Sequence, residues 1–270
     1  MSAPRIVSYG GGWQSTALLV LAVQRRIDFR TFVFANVGDD SENPGTVAYV
    51  RDFARPYAEA NGIEFVEVQA QRKGEPETLY GRMTRPGSKS LPIPLYGRNG
   101  SPMGRACTAD FKLVPIGKWL TSHGASEENK ATVALGYSAD EVKRINPAKA
   151  KPYERLVYPL IDLDPPARRD DCAHIIRSGG LPVPPKSACW FCPSRRRNGW
   201  QEMRRSAPAL FHRAVRLEGQ LTVRGSGGYR LTEEGRPLDE VIPAGVDTLP
   251  MVGEDDAFGA YGCDGSVCGT

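Results

Sequence analysis

An α/β fold with a doubly wound, mostly parallel sheet is predicted by three observations. Short β-forming runs alternate with helix-length stretches through the first half of the 270-residue chain, the order that yields parallel strands joined by helical crossovers. The run DFRTFVFANVG (28–38) is apolar on consecutive positions, as a strand covered on both faces is. Three glycines, Gly10 to Gly12, separate the first run from the first helix, at the strand end where such sheets bind ligands.

Taken in order, Arg5 to Tyr9 reads as a strand and Ser15 to Arg25 as a helix. The buried strand at 28–38 follows. Asn43-Pro44 then supplies an N-cap and a proline for the first turn of a helix reaching about Asn61-Gly62. Glu64 to Val68 is a third strand. The Gly- and Pro-rich stretch from roughly 70 to 105 is too long for a plain connector and is expected to be a lid or binding loop. A helix over Asp110 to His123 and a strand over Ala131 to Gly136 complete the alternation. After about Asp164 the character changes: helices at Arg168 to Ser178 and Asn198 to Glu218 flank the proline-rich turn GLPVPPKSACWFCP. The expected organisation is an α/β nucleotide-binding domain (1–164), a helical cysteine-bearing subdomain (165–218) and a Gly-rich tail (219–270). No internal repeat is visible.

Apolar residues make up 40% of the chain, enough for a core, and the net charge of +4 favours an anionic ligand without requiring nucleic acid. No apolar run reaches membrane-spanning length, and MSAPRIVSYGG lacks the charged and apolar regions of a signal peptide. The expectation is a cytoplasmic protein with no membrane partner. Six cysteines in a reducing compartment point to metal or redox chemistry rather than a disulfide framework.

A strand, a glycine loop and a helix opening with Ser15-Thr16 form an anion cradle, because first-turn amides and the helix dipole both attract phosphate. The loop is neither G-x-x-x-x-G-K-S/T, since no lysine follows, nor G-x-G-x-x-G. An ordinary tight turn is the competing reading.

Five stretches carry a resemblance: YGGGWQST, FANVGDDSEN, CTADFKLVP (107–115), LGYSADEVKR (135–144) and GLPVPPKSACWFCP (180–193). Together they resemble the pyrophosphatase-loop (PP-loop) nucleotide hydrolases, in particular the 3′-phosphoadenylyl-sulfate (PAPS) reductase-like, iron–sulfur-containing branch. The resemblance spans roughly residues 5 to 218 and implies an adenine nucleotide alpha-hydrolase-like (HUP) fold. It implies a nucleotide-binding set of Ser8, Gly10, Gly11, Gly12, Gln14, Ser15, Thr16, Asn36, Asp39, Asp40, Gly136 and Arg144, with Arg105 and Lys112 gripping a substrate phosphate or sulfate. Asp39 and Asp40 would hold Mg2+ on the phosphates or bond a ribose, unless they are solvated acids capping the next helix. The chain departs from the family at Gly10, where the ATP pyrophosphatases carry Ser, and at Gln14, where they carry Asp. It also lacks the Glu-Cys-Gly-Leu-His tail of the sulfonucleotide reductases.

Cys189-Trp-Phe-Cys192-Pro193 places two thiols on one turn, within reach of a single metal, and Cys-Pro is common after such pairs at iron–sulfur clusters. Cys107 and Cys172 are the further candidates, giving a 4Fe–4S cluster; closed tetrahedral zinc and a redox dithiol are the alternatives. Cys172 reads equally as a buried helical cysteine. Cys263 and Cys268 in CDGSVCG could carry persulfide sulfur or attack a substrate. Arg195, Arg196, Arg197, Arg204 and Arg205, interleaved with Trp190, Phe191 and Trp200, form either a nucleic-acid surface or a solvated helix face over core aromatics. His123, His174 and His212 have no partner motif.

The expected activity is adenylating sulfur transfer: ATP activates an acceptor oxygen and sulfur displaces AMP. The acceptor is a nucleic acid or a small molecule, and the sulfur donor a partner such as a cysteine desulfurase. Reduction of PAPS to sulfite with a thiol reductant, and a non-catalytic nucleotide-binding iron–sulfur sensor or assembly subunit, are the alternatives.

Overall fold

The computed structural model describes residues 2–224 and 228–245. They divide into two compact units, one of residues up to Glu77 with Thr108–Ala188, the other of Thr78–Cys107 with the described residues from Cys189 onward.

In the first unit β1 (Arg5–Tyr9) leads into α1 (Trp13–Val23) and β2 (Thr31–Asn36). One helical stretch follows, built of α2 (Pro44–Tyr49), a π turn (Val50–Ala54) and α3 (Arg55–Ala60). Asn43 caps it, its side-chain oxygen accepting from the Gly45 amide at 2.9 Å. β3 (Glu64–Gln69) precedes a short hairpin, β4 (Gln71–Arg72) and β5 (Glu75–Pro76). After α4 (Leu79–Thr84), which belongs to the second unit, the chain returns through another π turn (Ala109–Leu113) into α5 (Val114–Ser122). β6 (Ala131–Ala134), β7 (Glu154–Val157) and α6 (Arg169–Ser178) complete the unit.

Both π turns stand just ahead of a proline, Pro56 and Pro115. In a regular helix a proline ring collides with the carbonyl four residues back and donates no bond. A wider turn at that point relieves the collision and lets each helix continue.

The five long strands form a parallel sheet in the order β3-β2-β1-β6-β7. Val7, Tyr9, Phe32, Phe34 and Ala134 pack on one side with Leu18 and Leu21 of α1 and Ile176 of α6. Ile6, Val33, Ala35 and Val133 pack on the other with Ile116 and Leu120 of α5. Helices therefore cover both faces, and α1 is buried from Gln14 to Ala22. The expected α/β class and its mostly parallel sheet are present. The direction of winding reverses between β1 and β6, which opens a crevice at their carboxyl ends.

Some elements differ from expectation. β7 was not anticipated. The 70–105 stretch, expected to be one loop, holds the β4–β5 hairpin and α4. Residues 165–188 lie in the first unit, where α6 packs on α1, and 78–107 lie in the second, so the compact units do not follow boundaries at 164 and 218.

In the second unit the helix expected over 198–218 is broken into α7 (Arg197–Ser206) and α8 (Pro208–Val223). Pro208 cannot continue α7 but suits the first turn of α8. A short α9 (Leu238–Val241) follows. Trp190, Phe191, Trp200 and Phe211 are all buried, and Tyr80 of α4 packs on Trp190 with ring centroids 5.6 Å apart. The buried Glu218 carboxylate accepts from the amides of Leu231 at 2.8 Å and Leu238 at 2.7 Å, tying the following segment to α8. Among the described residues no helix is long and apolar enough to cross a membrane.

Burial pushes the Glu218 carboxyl above its ordinary value, ahead of the opposing effect of its two amide donors. A carboxyl raised on folding stabilises in its protonated form, and that contribution is lost as pH rises through the folded-state pKa. Thermal melts of wild type and Glu218→Gln between about pH 4 and pH 8 should show wild type losing ground to the variant as pH increases; a pH-independent difference would contradict the burial effect.

Candidate functional site

The crevice is built from three segments converging on the first turn of α1. The loop Gly10–Gly12 leaves β1 with Gly11 at φ +76, a left-handed conformation that favours glycine. A Cβ on Gly11 would lie 2.8 Å from Cγ2 of Thr46 on α2. Gly136, two residues beyond β6, faces the same turn: its Cβ would stand 3.1 Å from the backbone carbon of Gln14 and the amide nitrogen of Ser15. From the third segment Ser187 donates to the Gly10 carbonyl at 2.7 Å, and Pro184 accepts from Trp13 Nε1 at 2.8 Å.

Gly12 occupies the N-cap of α1 and offers no side-chain cap, and the first turn holds no acidic residue. Helix geometry leaves the first-turn amides without intrahelical acceptors. Thr46, whose methyl stands against Gly11, and Ser138, two residues after Gly136, carry buried hydroxyls with no hydrogen-bond partner among the described residues. Buried polar atoms left this way call for a ligand or water. Ser15 bonds back to the Gly12 carbonyl at 3.1 Å, while Thr16 pairs with the Tyr9 hydroxyl at 2.9 Å. Burial pushes the Tyr9 hydroxyl far above its ordinary value, so it stays protonated. Ser8 is buried within β1.

Gln14 Nε2 donates to Glu141 Oε2 at 3.1 Å, and Glu141 also forms an ion pair with Arg144. The Arg144 guanidinium lies 5.0 Å from the centre of the Tyr137 ring. At the end of β2, Asn36 donates to Asp39 at 2.9 Å and to Glu67 at 2.7 Å, while accepting from the Gly38 amide at 2.7 Å. Asp40 accepts from the Ser41 hydroxyl at 2.8 Å. Neither aspartate caps the next helix, a task that falls to Asn43.

The structure therefore brings Gly10, Gly11, Gly12, Gln14, Ser15, Gly136 and Arg144 around one helix end, with Asn36, Asp39 and Asp40 at the neighbouring strand. Lys112 lies in the first unit on the Ala109–Leu113 turn, and Arg105 in the second. Thr46, Glu141 and Ser187 were not singled out from the sequence. Glu141 and Ser187 lie inside the motifs LGYSADEVKR and GLPVPPKSACWFCP, which carried that signal; Thr46 had none, because its role depends on where α2 crosses the loop.

Cys107, Cys189 and Cys192 belong to the second unit, and Cys172 to the first. The Cys189–Cys192 pair is closed as a turn by the Cys192 amide donating to the Cys189 carbonyl at 3.1 Å. Among the described residues no three His, Cys, Asp or Glu side chains gather as a metal-binding group. Cys172 is enclosed in the apolar core between α1 and α6, its thiol donating to the Arg168 carbonyl at 3.3 Å. Burial pushes that thiol up to about 12, which holds it neutral at pH 7. Its surroundings are those of a core cysteine. Cys263 and Cys268 lie outside the described residues. Trp190, Phe191 and Trp200, being buried, present no stacking face for bases, in keeping with core aromatics.

Comparison with known proteins gives one relative to report. The chain is similar to the uncharacterized nin region protein ORF290 of Escherichia phage lambda, at 29% identity over 168 residues. That alignment covers 59% of this chain and 55% of the phage protein, so the chain spans little more than half the length of this relative. No family model matches, and no solved structure matches.

In folded protein stripped of any bound metal, Cys172 should resist iodoacetamide while the half-buried Cys107 and Cys189 react, as peptide mapping by mass spectrometry would show. Alkylation of Cys172 at the same rate as Cys189 would contradict its placement.

Proposed function

We propose that the first unit binds the phosphates of an adenine nucleotide on the first turn of α1, and that the protein is an ATP-dependent, adenylating sulfurtransferase. One observation carries the nucleotide reading: an uncapped, acid-free helix start at the reversal point of the sheet, closed on two sides by glycines whose Cβ atoms would collide. The adenine preference and the sulfur chemistry rest on the PP-loop resemblance and its PAPS reductase-like, HUP-type branch.

In this reading the amides of the first turn receive the charge that builds on the phosphates as an acceptor oxygen attacks the α-phosphorus and pyrophosphate leaves. A sulfur nucleophile then displaces AMP from the adenylated acceptor. Thr46, packed on Gly11 through its methyl, brings a buried, unpartnered hydroxyl near the loop. Arg144, held by Glu141, supports the Gln14 end of the turn rather than standing as a bare cation, and Gln14 itself brings no carboxylate to a metal. Mg2+, if used, falls to Asp39 and Asp40. The 4Fe–4S expectation draws support from the Cys189–Cys192 turn, with no ligand group gathered around it among the described residues.

Gly11→Ala adds about 1–2 kcal/mol of left-handed strain and drives a methyl toward Thr46. ATP affinity, measured by calorimetry, should fall about tenfold or more. Pyrophosphate should appear from ATP only when an acceptor is present. Sulfite from PAPS with a thiol reductant would instead support the reductase, and tight ATP binding with neither product a sensor. Unchanged ATP affinity in Gly11→Ala would overturn the site itself.

A further inference from the structure

We infer a second ligand site in the first unit: an open pocket of about 330 Å³, beside the amino ends of β1 and β6 and along β7, that accepts a small organic oxyanion, a phosphate ester or a carboxylate. Along β1 it lies toward the opposite end from the glycine loop. Its floor is a row set by strand register, Arg5 beside Thr132 and Thr132 beside Arg155. Residues paired in this way project to the same face. That face is the one on which Val7, Ala134 and Val157 meet the apolar core under α1 and α6. Arg5, Thr132 and Arg155 thus form a polar row at the margin of an apolar face. Adjacent strands lie about 4.8 Å apart, so the two arginine backbones stand about 10 Å from each other, a span that lets two long cationic side chains close on one anion.

Each arginine is steered by its neighbours. Arg155 Nη2 donates to Thr132 Oγ1 at 3.2 Å. Arg5 donates to the Asp28 carbonyl at 3.1 Å, with the Asp28 carboxylate at 3.6 Å, and its guanidinium lies over Phe29, 5.1 Å from the ring centre. Arg26 joins the lining from the connection between α1 and β2, and Asp162 supplies the other acid. Three cations therefore face two carboxylates, an excess of one positive charge. Ile27, Val157 and Leu163 add apolar wall. Guanidiniums bind planar and tetrahedral oxyanions through paired N–H donors, and the apolar wall suits a carbon body rather than a bare inorganic ion. The volume falls at the lower end of the range for small-molecule sites.

Titration calorimetry with phenyl phosphate, benzoate and inorganic phosphate tests this. Phenyl phosphate or benzoate should bind at millimolar concentration or below, and more tightly than inorganic phosphate. Whichever of the two binds better names the head group. Arg155→Gln should weaken that binding about tenfold, as loss of a charge-assisted contact implies, with Arg5→Gln/Arg155→Gln weaker still. Gly11→Ala should leave it unchanged, which separates this cavity from the nucleotide site. Circular dichroism and melting temperature check that the arginine variants fold. Absence of binding to wild type at about 10 mM, equal affinity for inorganic phosphate, or unaltered affinity in well-folded Arg155→Gln would overturn the proposal.

Discussion

Where β1 passes into α1, the backbone must run within van der Waals reach of two other segments at once. Gly11 lies against Thr46 of α2, and Gly136 against the backbone of Gln14 and Ser15. Neither approach leaves space for a side chain, and Gly11 takes a left-handed turn as well. The bond from Ser187 to the Gly10 carbonyl fixes the loop from a third direction. Amides held this way need little rearrangement to meet an anion, and preorganisation is where electrostatic binding and catalysis gain most. The rest of the first unit serves this crossing: α1 is buried through nearly its whole length, and the sheet reverses its winding beside it.

The charge around the crossing is arranged so that the backbone, not a side chain, presents the positive end. Glu141 draws in both Gln14 and Arg144, so the strongest nearby cation is already compensated. Asn36 in turn organises Asp39 and Glu67 at the next strand, with Arg55 pairing to Glu67 at 2.5 Å. These networks set the edges of the crevice around the first-turn amides of α1. In the nucleotide reading, such a site would discriminate by the placement of phosphoryl oxygens more than by net charge.

Much of the sheet was legible because its strands are written as short runs of β-forming residues: β1 has the expected bounds, β3 runs one residue further, and β2 and β6 are shorter at their ends. β7 was missed because Glu154–Val157 is only four residues long and carries Arg155 on a face that apolar residues otherwise occupy. The break before Pro208 was available from the proline alone, yet the amphipathic run on either side masked it. At the site, the glycines and the Asn43 cap were readable from local chemistry. Thr46 was not, since its importance arises only from the crossing of α2 over the loop. The cysteines show the limit most clearly. The two-residue spacer of Cys189 and Cys192 does make a turn, but spacing says nothing about which distant thiols join it, and Cys172 proves to sit in apolar packing.

The central claim is that the first-turn amides of α1 hold a nucleotide's phosphates. A crystal structure of the full chain with a non-hydrolysable ATP analogue addresses it most directly. Phosphoryl oxygens bonded to the amides of Gly12 to Ser15, between Gly11 and Gly136, are the predicted result. An analogue bound elsewhere, with this crevice holding only solvent, would contradict it.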